Sequence, residues 1–212
     1  MEKMPEYIQK TEYKTLEEYI KLMPDNRRIP CEQIITDYYA RLSLAPGSKN
    51  KHQNWPGGWW DHTTELMNLA QEDYNSAMAH RPYPFTFEEV IFPLFIHDLE
   101  KPWKYATNDE LESLNESIHQ RGYEKSLAFP KNEPHAFIIG LLEAYNVQLT
   151  PNEHNALEYA HGEIARYSAN HRYMKPLATL VHICDIKSAR IWFDYPLKNS
   201  AQDVWGAKRI QQ

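Results

Sequence analysis

A chain of 212 residues with 42% hydrophobic and 13% aromatic content is long enough to bury a core and too apolar to be a disordered polymer. Its net charge of −6 and pI near 5.9 give no overall basic field to recruit nucleic acid or an anionic membrane surface, although a local basic patch is compatible with that balance. Cys31 and Cys184 make neither a disulfide framework nor a Cys-x-x-Cys zinc pair, Met1 to Glu6 lack an apolar signal segment, and the longest apolar run, Val90 to Ile96, falls far short of the roughly 20 residues that span a bilayer; the expectation is a cytoplasmic protein in a reducing compartment, without a membrane partner.

Helical periodicity dominates the chain. Thr15-Leu16-Glu17-Glu18 is a capping box that opens a short helix to Leu22, stopped by Pro24. A second helix is expected from about Glu32 to Leu42, with Ile34, Ile35, Tyr38, Tyr39 and Leu42 on one face. Ala45 to Gly58, dense in Pro, Gly, Asn and Ser, reads as a loop. The next helix carries Trp60, His62, Thr63, Leu66 and Leu69, and a second capping box, Thr86-Phe87-Glu88-Glu89, opens a helix that ends in His97-Asp98. Pro102 to about Arg121 is a loop followed by a surface helix. Pro134-His135-Ala136-Phe137 starts an apolar helix through Leu142. Thr150-Pro151-Asn152-Glu153 starts another, with Pro at the first helical position; it carries His161, with Gly162 near its end. A last helix spans roughly Lys175 to Trp192 and holds His182 and Asp185. The expected architecture is all-α: a helical extension over residues 1–50, a helical bundle over 51–195 and a C-terminal tail over 196–212. The apolar residues of the extension complete the core or serve a homodimer contact.

The doublet His97-Asp98 closes the apolar run Val90 to Ile96. Burying an imidazole and a carboxylate costs several kcal/mol unless something pairs with them, and a metal ion is a strong partner. Other candidate ligands stand on both sides: His62 before the doublet, His135, His161 and Asp185 after it. All lie on helices or at helix ends, so they meet only if the helices pack about one centre. Imidazole suits Zn, Fe, Mn or Ni and carboxylate suits Mg or Mn, so the set does not name its metal. It also exceeds what one tetrahedral ion takes, and the economical arrangement is two divalent ions with Asp98 between them. Such a pair would lower the pKa of a shared water and clamp phosphoryl oxygens. Lys101, one turn beyond Asp98, offers positive charge to a phosphate.

More ordinary roles compete. His182 stands one turn before Asp185 on the same face, so a private His182–Asp185 hydrogen bond is an alternative for that carboxylate. His52, His80, His119, His154 and His171 fall in loops or on polar faces and read as solvated, and Cys184 reads as a small core residue. His52 and Trp59 also flank the first ligand, which makes them, with Lys101, candidates for substrate contact; tryptophans more often fill core.

Three segments together resemble the HD-domain superfamily of metal-dependent phosphohydrolases. Pro56-Gly57-Gly58-Trp59-Trp60-Asp61-His62-Thr63 is similar to a Gly-Gly-hydrophobic-hydrophobic-acid-His-Thr motif that supplies the first ligand, in the branch with 3′–5′ exoribonucleases and relaxase-associated domains. Phe95-Ile96-His97-Asp98-Leu99-Glu100-Lys101 resembles the motif that names the superfamily, with Glu100 where Gly is usual. Leu177 to Arg190, including Asp185-Ile186-Lys187-Ser188-Ala189, resembles the closing helix that carries the last ligand. The resemblance, over roughly residues 52 to 192, implies that His62, His97, Asp98 and Asp185 hold one ion, and that His135 and His161 match the extra histidines of two-metal members; Ala160-His161 stands where many of these have a His pair.

The implied function is hydrolysis of a phosphomonoester or phosphodiester, in a nucleotide or short nucleic acid, using one or two divalent ions (Mn, Fe, Zn, Ni or Mg), with Asp98 and Lys101 as catalytic residues. An alternative from another enzyme class is a mixed-valent diiron oxygenase acting on a phosphonate or polyol, which the same six ligands would serve. A third is a non-catalytic module in which the metal site braces helices, or a regulator that binds a nucleotide without cleaving it.

Overall fold

The computed structural model describes residues 13–163 and 167–191. The first residues of the expected extension, Trp192 at the expected end of the last helix and the expected tail lie outside the described residues. Those described form eight α-helices and no strand: α1 (Leu16–Ile20), α2 (Asp25–Leu42), α3 (Gly58–Met78), α4 (Phe87–Ile96), α5 (Asn108–Gln120), α6 (Pro134–Ala144), α7 (Pro151–Tyr159) and α8 (Pro176–Ile186). A 3₁₀ turn, Lys101–Trp103, follows α4, and a π turn, Lys187–Ile191, continues α8. Among the described residues, no helix is long and apolar enough to cross a membrane.

Threonine and glutamate start the helices as their spacing predicts. At Thr15 and Thr150 the hydroxyl accepts from the backbone N–H of Glu18 or Glu153, and that glutamate's carboxylate accepts from the threonine N–H in return. Thr86 and Glu89 do the same for α4. A further box, Thr107 with Glu110, opens the surface helix α5.

Three helix ends differ from expectation. The second helix begins at Asp25, well before Glu32, and continues through Pro30 to a kink at Tyr38 (φ −121°, ψ 22°). Its first turns are held by Arg28, which pairs with Asp25 at 2.8 Å and Glu32 at 3.0 Å along one face. The fourth helix ends at Ile96, with His97 as its C-cap. His161 lies beyond α7, which ends at Tyr159, so this imidazole is carried by the chain turning out of the helix.

Helix α3 is the axis of the molecule. Its first turns, Gly58 to Ala70, are buried except Trp60, and it packs against α1, α4 and α8, while α7 packs on α8 and α4. Apolar side chains of α1 and α2, among them Leu16, Tyr19, Ile20, Cys31 and Ile34, join the same core as those of α3 to α8. Asn68 fastens α1 to α3: its carbonyl accepts from the Tyr19 hydroxyl and the Lys14 N–H, both at 3.0 Å, and its amide donates to the Lys14 and Thr64 carbonyls.

A half-buried ion pair joins α2 to α7. Arg27 donates to both carboxylate oxygens of Glu153, at 2.7 and 2.8 Å, and to the Gln148 carbonyl at 3.0 Å. Burial opposes the charge of Glu153, but Arg27 and the Thr150 cap outweigh it and hold the carboxyl below its usual range. A depressed folded-state pKa contributes stability above the unfolded-state value and loses it as pH falls through the folded one. Glu153→Gln is therefore expected to cost about 1–3 kcal/mol at pH 7, and its difference from wild type should shrink in denaturation curves taken progressively below about pH 4.

Candidate metal centre

Four residues from three helical segments converge at the inner end of the bundle. His62 comes from α3, His97 and Asp98 from the end of α4, and Asp185 from α8, each with one ligand atom within 4.8 Å of the others, and all four are buried. The His62 Nε2 lies 3.2 Å from Asp185 Oδ1 and 3.5 Å from Asp98 Oδ2, and the His97 Nε2 lies 3.0 Å from Asp98 Oδ2. Neither Nε2 and neither Asp98 oxygen has a hydrogen-bond partner of adequate geometry, although Lys101 forms an ion pair with Asp98 Oδ2. Buried atoms with lone pairs aimed at one point, yet not bonded to each other, match a cation's ligand set.

The tautomers fit that role. His97 Nδ1 lies 2.7 Å from the Leu94 carbonyl, which can only accept, so the proton sits on Nδ1 and the Nε2 lone pair faces the centre. For His62 the argument runs through three buried side chains. The Ser188 hydroxyl donates its single proton to Glu65 and accepts from the Gln53 amide at 3.2 Å. It is then an acceptor for His62 Nδ1–H at 3.0 Å, which again leaves Nε2 bare. Gln53 donates to Glu65 as well, at 3.0 Å. Orientation of a ligand imidazole through its second nitrogen is a common requirement of metal sites.

The charges point the same way. Burial disfavours ionisation of Asp98, but the Lys101 ammonium and His97, helped by His161 and His62, hold its pKa well below the ordinary value. Asp185 is likewise down at about 2, with His62 overcoming burial. Burial presses His62 down, but Asp185 and Asp98 outweigh it and raise it. Asp98 raises His161 to about 9. Two buried carboxylates thus stay charged and draw positive charge to themselves.

The other sequence candidates fall into two groups. His161, with over half its side chain exposed, brings Nε2 to 3.4 Å from Oδ1 of Asp98, the oxygen not shared by His62 and His97. His135 is outside the four-residue cluster: it is half-buried on α6, its pKa lowered by burial and then by the neighbouring His161. Lys101 touches Asp98 Oδ2 directly. His182 does not bond Asp185; its Nδ1 donates to the Ala160 carbonyl at 2.8 Å. His80, His119, His154 and His171 are exposed as expected, but His52 is half-buried. Its ring lies 4.6 Å from that of His62, and burial, with the charges of His62 and Lys101, takes its pKa down to about 3. Trp59 is corrected as a substrate contact: it is wholly buried against Phe95, and its indole N–H donates to the Asp98 carbonyl at 3.0 Å. It sets the doublet's backbone and offers no face to a ligand. Glu100, in the place where the resembled motif has Gly, has φ −74° and ψ −23°, so an ordinary residue fits there without strain.

Gln53, Glu65 and Ser188 were not singled out from the sequence. The signal that remained there was a loop crowded with glycines. Gly57 caps α3 at φ 82°, and Gln53 itself takes φ 40°, an uncommon conformation for a residue with a side chain. Removing the hydroxyl should free the His62 ring: Ser188→Ala is expected to weaken metal binding by about 10–100-fold, read by chelator competition, with the helical circular-dichroism spectrum unchanged.

In comparisons with protein-family models, curated proteins and solved structures, nothing matches this chain. What its own coordinates supply is an all-helical domain with a buried His62/His97/Asp98/Asp185 cluster consistent with an HD-like metal site. Such a cluster supports metal-dependent hydrolytic activity in general terms.

Proposed function

We propose that this protein is a metal-dependent phosphohydrolase of the HD type that cleaves a phosphomonoester or phosphodiester bond in a nucleotide or short nucleic acid. The observation that carries this reading is the convergence of the His62 and His97 Nε2 atoms on the buried Asp98 and Asp185 carboxylates, with a lysine ammonium against Asp98.

His62, His97, Asp98 and Asp185 would hold one divalent ion. His161, facing the other oxygen of Asp98, is the natural ligand for a second, with His135 beside it. Divalent ions held there supply a water of lowered pKa and a Lewis acid for phosphoryl oxygens. The chain's own contribution is positional. Ser188 and the Leu94 carbonyl fix the imidazole tautomers, and Trp59 fixes the Asp98 backbone. Lys101 lies where it can neutralise charge on a phosphate oxygen. Burial of the four ligands keeps bulk water from competing with their lone pairs.

The reading is tested by elemental analysis of protein purified without chelator, paired with phosphate release over nucleotides, cyclic nucleotides and short oligonucleotides. The expected result is one or two equivalents of a divalent metal and turnover that chelator removes and metal restores. Iron with substrate-dependent oxygen uptake and no phosphate release would overturn it.

A further inference from the structure

Beside the metal centre lies a cleft of about 300 Å³ whose walls include Lys49, Lys51, His52, Lys101, Lys104 and Tyr105. None of its lining residues is acidic, in a chain whose net charge is −6. Four lysines in the walls of so small a volume, with no carboxylate among them, favour an anion as occupant.

The cleft is joined to the centre at its inner end. Lys101 belongs to its wall and touches Asp98, and His52 forms the partition whose other side is the His62 ring. The remaining lysines stand farther out. Lys104 has only a loose partner, Glu100 Oε1 at 3.6 Å, and neither Lys49 nor Lys51 forms an ion pair among the described residues. Lys49 lies 5.9 Å over the ring of Tyr105, itself more than half exposed. A single phosphate at the metal centre would use Lys101 and leave these three unengaged.

We propose that this cleft is a subsite for a second phosphate, so that the substrate is a nucleotide carrying at least one phosphate beyond the one attacked. Lys101 is shared between the two positions, and Lys49, Lys51 and Lys104 are the specificity-determining residues. Ammonium groups bind phosphate as point charges from several directions, which suits a flexible polyphosphate or the next phosphate of a strand. The inference rests on the phosphohydrolase reading for what occupies the centre, but its test does not depend on turnover.

The test is titration calorimetry on the full-length protein as purified, with a non-hydrolysable nucleoside triphosphate and its monophosphate, and with a dinucleotide with and without a 5′-phosphate. Wild type is expected to prefer the member with the additional phosphate by at least about tenfold in one pair or both, and the preferred pair identifies the source of the second phosphate. Lys49→Gln/Lys51→Gln/Lys104→Gln should abolish that preference, and the corresponding triple Arg variant, which keeps the charges, should retain it. Equal affinity within both pairs for wild type, or a preference that survives the Gln variant, would overturn the subsite. Preference lost on substitution in a protein without metal or hydrolysis would uphold the subsite while removing the phosphohydrolase reading; hydrolysis without any preference would do the reverse.

Discussion

Asp98→Ala is expected to strip the protein of metal and to lower phosphate release by at least about 10³-fold, an increase of about 4 kcal/mol in the activation barrier. Both side-chain oxygens of Asp98 are engaged at the site: Oδ2 faces His62, His97 and Lys101, and Oδ1 faces His161. Its removal would therefore take a candidate ligand from the buried cluster and the partner of the lysine. The backbone should stay in place, because Trp59 holds the residue through its carbonyl at 3.0 Å, not through the carboxylate. The loss then belongs to the side chain. Metal content by elemental analysis, turnover on the best substrate and a thermal melt are measured together. A variant that keeps the wild-type metal stoichiometry would refute the assignment of Asp98 as a ligand, whatever its activity.

Gly58→Ala should be severely damaging for a change of one methyl group. A Cβ at this position would lie 1.8 Å from the Gln53 carbonyl oxygen and 2.9 Å from the Gly47 nitrogen, both backbone atoms. No rotamer change relieves such a contact, so either the 47–58 loop or the start of α3 must move. The loop is cross-tied there: Gly47 donates to Gln53, Gly58 to Trp55 and Trp59 to Ala45, all between 2.8 and 2.9 Å. A loss of more than about 4 kcal/mol is expected, in the range of severe backbone and overpacking defects. The displacement would also carry Gln53 away from Glu65 and Ser188 and His52 away from His62. Denaturant unfolding reads the first effect and chelator competition the second. Wild-type stability in this variant would mean that the close approach of the two segments is not required.

Local signals in the sequence were enough for most helix starts, because threonine and glutamate three apart satisfy each other's backbone wherever the chain goes afterwards. Helix ends were harder. α2 starts early, at Asp25, an acidic residue suited to a first turn, and Arg28 adds surface pairs with Asp25 and Glu32. α7 ends at Tyr159, before His161, where Gly162 at φ 101° donates its N–H to the Tyr159 carbonyl. The doublet was conspicuous because a polar pair ended an apolar run, a purely local contrast. Its supporting shell was not. Gln53, Glu65 and Ser188 come from a loop, from α3 and from beyond α8, and their link to the His62 imidazole appears only once these segments lie together. Trp59 looked like a ligand contact by its place in a motif and became a brace for Asp98 by burial.

By itself the sequence determined an all-helical chain and the order of its imidazoles and carboxylates, because helical periodicity, capping pairs and residue chemistry are written within a few positions of each other. Only the tertiary structure decided which of those groups face one another, which ring nitrogens are left bare, and that four lysines border a cleft beside Asp98. Those are properties of distance and burial between segments far apart along the chain, and the packing of α3, α4 and α8 sets them.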